Sequence, residues 1–245
     1  MSDAYSVLAG VYDRLMDASA YAARAEYLWE LFIRHGGTPA TLLDIGCGTG
    51  RLTQLLQEKG ADIIGADASP EMLSQARERL GGDALLLCQD MRELDLYGDV
   101  EGVVCTMDGM NHLLTQEDIT RTLKRIALFV QPDGRFIFDV NTPYKHREIL
   151  GDRCFALEDE GIMCIWQNSL LEDDVVCAEL DIFKANGTQW TRHKDTVQER
   201  AYSMSEWQNL LTEAGFITEA IYGDGTFTSP IAEEERWVIV ARRTV

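Results

Sequence analysis

Two carboxylates and three glycines have the types and spacing to hold a nucleotide-like ligand. In LLDIGCGTG, residues 42–50, Leu42, Leu43 and Ile45 make the continuous apolar run of a strand buried on both faces, and Gly46, Gly48 and Gly50 follow at alternate positions. Lacking a Cβ, these glycines permit a sharp turn and let a flat ligand lie against the backbone. The helix predicted over Thr49–Lys59 carries Leu52, Leu55 and Leu56 on one face and stops at Gly60. Its free N–H groups favour a carboxylate or phosphate in the turn. A glycine turn alone also fits a purely structural role, with glycine serving packing.

The acids downstream sharpen the choice. ADIIGAD, residues 61–67, reads as a second strand ending in Asp67, 21 residues after Gly46, the spacing at which a carboxylate accepts ribose hydroxyls. SPEML follows, with Ser69 as helix cap, Pro70 at the first helical position and Glu71 in the first turn, which keeps Asp67 at the carboxyl edge of the sheet. ALLLCQD, residues 84–90, gives a third strand ending in Asp90, placed to accept from an exocyclic amine such as that of adenine. Three strand ends then form one crevice.

DIGCGTG, the acid of GADASPEML and the acid of CQDMREL resemble motifs one to three of the class I S-adenosylmethionine-dependent methyltransferases. CTMDGMNHLL at 105–114 resembles motif four, and QPDGRFIFDVN at 131–141 the late helix-loop-strand segment. Together they run in the family's order over about 100 residues. AYSVLAGVYDRLM, residues 4–16, further resembles a bacterial subgroup of small-molecule methyltransferases with a β-sheet insertion. The resemblance implies S-adenosylmethionine as cofactor. Asp44 would order the first loop, Gly46, Cys47 and Gly48 would approach the methionine part and the adenosine, Asp67 with Ala68 the ribose, and Asp90 with Met91 the adenine. Met107 falls where family members contact the cofactor near its reactive sulfur. The turn is GxGxG, not the GxGxxG of dinucleotide binders, and no basic residue follows Asp67 to receive a 2′-phosphate, so NADP is disfavoured more than NAD.

These groups must be positioned by an α/β fold. Residues 1–36 read as an N-terminal helical cap, with Tyr5, Leu8, Ala9, Tyr12 and Leu15 sharing one helix face and Tyr27, Leu28, Leu31 and Phe32 another. Residues 37–150 and 203–245 read as the cofactor-binding core. EGVVCTM, 101–107, is its fourth strand, a helix capped by Thr115 runs over 115–130, Pro132-Asp133-Gly134 turns, and RFIFDVN, 135–141, is its fifth strand. Strands alternating with helices imply a Rossmann-like, doubly wound parallel sheet. Helix 205–214 and strands 216–223 and 236–243 close it into seven strands with an antiparallel C-terminal hairpin. Between them, residues 151–202 read as an inserted lid. IMCIWQNSLL, VVCAELDIF and QWTRHKDTVQERAY are three strand-like runs, Asn186-Gly187 marks a hairpin, and an antiparallel β-meander follows.

Acceptor groups are expected from the N-terminal cap, the motif-four loop and the insertion. Tyr12 could give its hydroxyl to ligand or substrate, with Tyr5 and Tyr21 as companions. His112 suits a general base because imidazole titrates near neutrality, though it suits equally a packed structural histidine. Asp108 and Asn111 lie just past a strand end beside His112; Asn141 follows the fifth strand and either faces the pocket or caps a turn. Arg200, among His193, Glu199 and Tyr202 on the last insertion strand, could hold a substrate carboxylate.

Composition narrows the partners. The 245 residues carry 22 Lys and Arg against 41 Asp and Glu, a formal charge of −19, which disfavours nucleic acid and anionic membranes and mildly suits a cationic cofactor or amine. Cysteines 47, 88, 105, 154, 164 and 177 show no metal-ligand spacing and fit a reducing compartment. No leader or membrane span is read, so a cytoplasmic monomer or homodimer is expected. The sequence therefore predicts a methyltransferase acting on a small molecule by in-line transfer. An NAD-dependent oxidoreductase and a non-catalytic S-adenosylmethionine-binding protein are the alternatives.

Overall fold

A computed structural model describes residues 9–15, 18–82 and 84–244. Two helices open it, α1 (Ala9–Leu15) and α2 (Ala18–His35), and Tyr5 and Leu8 lie outside the described residues. The core then alternates β1 (Thr41–Ile45), α3 (Arg51–Gln57), β2 (Asp62–Asp67), α4 (Pro70–Leu80), β3 (Leu85–Cys88), β4 (Val100–Cys105), α5 (Gln116–Phe129) and β5 (Val130–Asn141). After the insertion come α6 (Met204–Glu213), β10 (Phe216–Gly223) and β11 (Arg236–Arg243). The seven strands are ordered β10-β11-β5-β4-β1-β2-β3, parallel except that β11 runs antiparallel to both β5 and β10. The expected doubly wound sheet with its closing hairpin is therefore present.

Alternate residues of the central strands feed different cores because both faces are covered. Leu43, Val103, Phe136 and Phe138 point to the side roofed by α5 and α6, while Leu42, Val104 and Ile137 point to the side roofed by α2 and α3. On the first side Phe138 stacks on Phe136 at 4.5 Å and meets the edge of Trp207 at 5.3 Å. Helix ends follow their sequence signals. Ser69 caps α4, Thr115 caps α5, and Ser203 forms a reciprocal capping box with Glu206 at α6.

Three details depart from expectation. The insertion has four strands, β6 (Cys154–Asp159), β7 (Ile162–Leu170), β8 (Val175–Asn186) and β9 (Gln189–Arg200), in simple antiparallel order. β6 escapes a reading of apolar runs because it is a short edge strand with no fully buried residue. Pro132-Asp133-Gly134 does not end an element: β5 already begins at Val130, and the triplet sits where the pairing with β4 jumps from Val100↔Val130 to Gly102↔Arg135, a bulge. Finally, β4 stops at Cys105, so Met107 lies in a turn and not in the strand.

The core depends on the aromatic stack. Phe138→Ala is expected to destabilise the protein by about 3–5 kcal/mol, seen in urea unfolding as a lower midpoint with an unchanged slope.

Candidate active site

The glycine turn is pinned to the neighbouring strand, since Gly46 N and Cys47 N both donate to Ala66 O, at 2.7 and 3.1 Å. Gly46, Gly48 and Gly50 all adopt left-handed φ, of 70, 54 and 75°. A Cβ on Gly46 or Gly48 would meet no protein atom within 4 Å, whereas one on Gly50 would press on Ala76 Cβ at 3.0 Å. Gly50 therefore serves packing against α4, and the first two glycines keep open a concave surface facing a cavity of about 820 Å³. This separates the two roles that the motif alone leaves open.

Asp67 ends β2 at the rim of this cradle. Its Oδ2 accepts from Gly48 N at 2.9 Å and its Oδ1 from Ser69 N at 2.8 Å, leaving further lone pairs toward the cavity. Burial pushes its carboxyl upward against those hydrogen bonds. Beneath the turn, Asp44 is only 2% exposed and accepts from Thr53 Oγ1 at 2.6 Å. Burial pushes it up to about 7, with the charge of Asp67 adding to the effect and Thr53 opposing it. Asp90, Met91 and Ala68 line the cavity at its β3 end. There Arg92 grips the Asp90 carboxylate from Nε and Nη2, at 3.0 and 2.6 Å, and holds it below the usual range.

Past β4 the chain makes an unusual turn in which Met107 and Asp108 take left-handed φ of 55 and 60°. Non-glycine residues rarely adopt this region unless their surroundings impose it. Asp139, near the end of β5 and 1% exposed, imposes it by accepting from both Met107 N and Asp108 N, at 3.0 and 2.9 Å. Arg236 at the start of β11 bridges the Asp139 and Asp108 carboxylates. Burial acts to raise Asp108, but Arg236 and Lys145 outweigh it and hold the carboxyl at about 2. The turn leads into the one-turn helix Gly109–His112, whose His112 lines the cavity within electrostatic reach of Asp67, Asp108 and Glu199.

The cavity is closed by elements distant in sequence. Tyr12 from α1 and Tyr21 from α2 line it, and α1 is fastened down by Asp13, which accepts from Thr49 Oγ1 at 2.7 Å and pairs with Arg79. Thr196, Val197 and Gln198 of β9 form the opposite wall. Of the residues singled out from sequence, Tyr12, Asp44, Gly46, Cys47, Gly48, Asp67, Ala68, Asp90, Met91, Met107 and His112 thus converge on one cavity.

Asn111, Asn141 and Arg200 do not line it. Asn111 is fully buried, donates to Asn141 O and Arg200 O at 3.2 and 2.9 Å, and accepts from Asn141 N at 2.9 Å, tying the core strand β5 to the insertion strand β9. Asn141 donates to Glu199 Oε2 and accepts from Lys145 Nζ, at 3.0 and 2.9 Å. Arg200 stacks on Tyr202 at 4.7 Å and donates to Leu114 O at 3.0 Å. In place of the expected substrate contacts, these three residues clamp the insertion to the core; the buried amides of Asn111 and Asn141 satisfy one another there, while Arg200 Nε is buried without a partner among the described residues. Asp139 and Arg236 went unread in the sequence, although an acid inside the apolar run FIFDVN was the available signal. Nothing in the alternation of β9 marks Thr196–Gln198 as cavity residues.

The residues present fit S-adenosylmethionine. Gly46 and Gly48 leave room for its adenosine and methionine parts, Asp67 has acceptor capacity for ribose hydroxyls, and the acids suit a sulfonium cation. Comparison with known proteins agrees. Residues 42–134 match the family model for a methyltransferase domain. The chain is 33% identical over 244 residues to YqeM of Bacillus subtilis (strain 168), a protein classed among the methyltransferases, covering 98% of this chain and 97% of that one. It is 26% identical to the dTDP-3-amino-3,4,6-trideoxy-alpha-D-glucopyranose N,N-dimethyltransferase of Streptomyces venezuelae, over 88% of this chain and 92% of that enzyme. The fold superposes on the crystal structure of an S-adenosylmethionine-dependent methyltransferase from Clostridium acetobutylicum ATCC 824 with a TM-score of 0.88, at 24% identity and covering 98% and 99% of the two chains.

Asp44 gives the site a pH signature. Its ordinary value of 3.8 is raised to about 7 in the fold, so the folded chain holds a proton that the unfolded chain has released. The stability this group confers is complete below about pH 4 and is lost progressively as pH rises through about 7. Asp44→Asn is expected to flatten this decline, and urea unfolding of both proteins at pH 5 and pH 8 measures it. An equal loss in both would remove Asp44 as its source.

Proposed function

Because the chain belongs to the class I S-adenosylmethionine-dependent methyltransferases, we propose that it methylates a small polar acceptor, and that the acceptor atom is an amine nitrogen. The observation that carries this reading is the meeting of Tyr12 and His112 with the glycine cradle and Asp67 in one cavity. Its volume of about 820 Å³ exceeds the lower part of the range occupied by single-ligand sites, roughly 300–1,000 Å³, and so suits a cofactor with a small acceptor beside it. The Streptomyces venezuelae relative, matched over most of both chains, bears the name of an aminosugar N,N-dimethyltransferase, which supports the amine. The alternatives of an NAD-dependent oxidoreductase and of a non-catalytic binding protein draw no support from the relatives. Six free thiols suit the cytoplasm as its compartment.

When bound, S-adenosylmethionine supplies an electrophilic methyl group on a sulfonium. The chain's own part is to align the acceptor nitrogen with that methyl, to exclude water and to manage one proton. Tyr12 and His112 stand at the cavity wall, where an acceptor can be oriented by hydroxyl and imidazole. A protonated amine has no lone pair and must lose a proton before transfer, whereas a neutral amine becomes a cation on methylation and releases a proton afterwards; His112 is the group assigned to take it. The left-handed turn held by Asp139 and Arg236 fixes where that imidazole stands. Thr196 and Gln198 of the insertion face the acceptor with neutral hydrogen-bonding groups.

Formation of S-adenosylhomocysteine is the test, with aminosugar nucleotides, small primary and secondary amines, and hydroxyl and thiol acceptors offered in parallel. Turnover confined to amines is expected; turnover confined to hydroxyls or thiols would sink the nitrogen assignment. His112→Asn should lower kcat by roughly 10²–10⁴-fold while S-adenosylhomocysteine binds as before. Asp67→Ala should do the opposite, weakening S-adenosylhomocysteine about a hundredfold or more through the lost charge-assisted hydrogen bonds. Wild-type affinity in that variant would contradict the role of Asp67.

A further inference from the structure

His146, in the helical turn Lys145–Leu150 after β5, is fully buried, and its surroundings fix its tautomer. Nδ1 lies 2.7 Å from Asp174 O, and a carbonyl oxygen only accepts, so Nδ1 carries the proton. In the neutral ring Nε2 is then the lone-pair nitrogen. It has no hydrogen-bond partner among the described residues, and it stands 3.9 Å from Oε2 of Glu199, a β9 side chain only 17% exposed. An ionised Glu199 would set acceptor against acceptor in a buried place, which costs free energy. A proton between the two removes the conflict, and a closure of roughly 1 Å then makes a hydrogen bond.

The charges around the pair decide which partner keeps that proton. Burial, helped by the Lys145 cation, holds the imidazole below its usual range against the Asp174 carbonyl and Asp108. Burial and the Asp108 charge push the Glu199 carboxyl upward against His112, the Asn141 hydrogen bond and Arg236. Neither nearby cation is Glu199's own: Arg236 is shared by Asp108 and Asp139, and Lys145, which Glu235 also faces, donates to Asn141 Oδ1. The proton therefore belongs to Glu199. Its place in the chain gives that state a consequence, since it directly follows the cavity residues Thr196, Val197 and Gln198 on β9. Asn141, which donates to its Oε2 at 3.0 Å, is itself clasped by Asn111, the residue before His112. We propose that Glu199 is a positioning residue that holds the insertion wall against the His112 loop as a neutral carboxylic acid, its Oε2 hydroxyl donating to His146 Nε2 while accepting from Asn141 Nδ2. Glutamate ordinarily ionises near 4.5; here the fold keeps the proton longer, so the clasp is complete at low pH and is lost as pH rises through the raised value. What the wall does for an acceptor rests on the methyltransferase reading; where the proton sits does not.

Carboxyl-carbon NMR of the full chain, labelled at glutamate, reads the proton directly, with the Glu199 signal identified by its absence in Glu199→Gln. Glu199 is expected to lose its proton at higher pH than the chain's exposed glutamates, while imidazole-nitrogen spectra show His146 Nε2 unprotonated throughout. A Glu199 that ionises together with the exposed glutamates, or a His146 that carries both protons, would overturn the proposal. Backbone hydrogen exchange along β9 then reads the wall. Glu199→Gln supplies an N–H donor and a carbonyl acceptor at every pH, and the ratio of wild type to variant cancels the intrinsic pH dependence of exchange. Wild-type protection should match that of Glu199→Gln below the Glu199 titration and fall roughly tenfold short of it above, the scale of one lost buried hydrogen bond. Glu199→Ala, which offers neither group, should exchange fast on both sides. A ratio that stays flat through the titration would refute the positioning role. Failure of every acceptor to yield S-adenosylhomocysteine would instead count against the function proposed above, since neither of these readings depends on turnover.

Discussion

A sheet buried on both faces has few places where polar side chains can meet a ligand, and the carboxyl edge of its parallel strands is the principal one. That constraint orders this molecule. Leu42 and Leu43, Val103 and Val104, and Phe136 and Ile137 are spent on the two cores, so the chemistry is left to the residues that follow: the glycine turn after β1, Asp67 at the end of β2, Asp90 after β3 and the Met107–His112 segment after β4. Strand order reverses between β1 and β4, and the cradle and the imidazole come from the two sides of that switch.

The edge would be a shallow groove without two additions. α1 and the start of α2 cover one side, fixed by the contact of Asp13 with Thr49 and Arg79, which fastens the cover to the glycine turn itself. β9 covers the other. Asn111, joined to Asn141 of β5 by two hydrogen bonds, donates a third to Arg200 O of β9, and the Tyr202 hydroxyl donates to Leu113 O at 2.8 Å. Both fastenings land on loops that also carry cavity residues. The position of each cover is thus coupled to the geometry of the cofactor cradle and of His112.

Most of the architecture was legible because it rests on local signals. Continuous apolar runs, Ser69-Pro70, Thr115 and Asn186-Gly187 located strands, helix starts and a hairpin without knowledge of long-range contacts. The cradle was legible for a related reason, since glycine spacing and a strand-terminal acid are one continuous stretch of chain. The other half of the site was less so. Asn111, Asn141 and Arg200 are polar residues at the edge whose hydrogen bonds turn toward one another, and only the packing of β9 on β5 decides that direction. Asp139 and Arg236 stand 97 residues apart and act through a backbone turn, a relation no spacing rule encodes. β6 shows the same limit in the fold: its inward face is only half-buried and offers just Phe155 and Leu157 in a six-residue edge strand, too short an apolar alternation to stand out.

The central claim is that the edge cavity is an S-adenosyl site. Calorimetric titration of the whole chain with S-adenosylhomocysteine and, separately, with NADH tests it most directly. The account predicts one S-adenosylhomocysteine bound per chain and no heat of binding from NADH. Saturable binding of NADH with none of S-adenosylhomocysteine would contradict it.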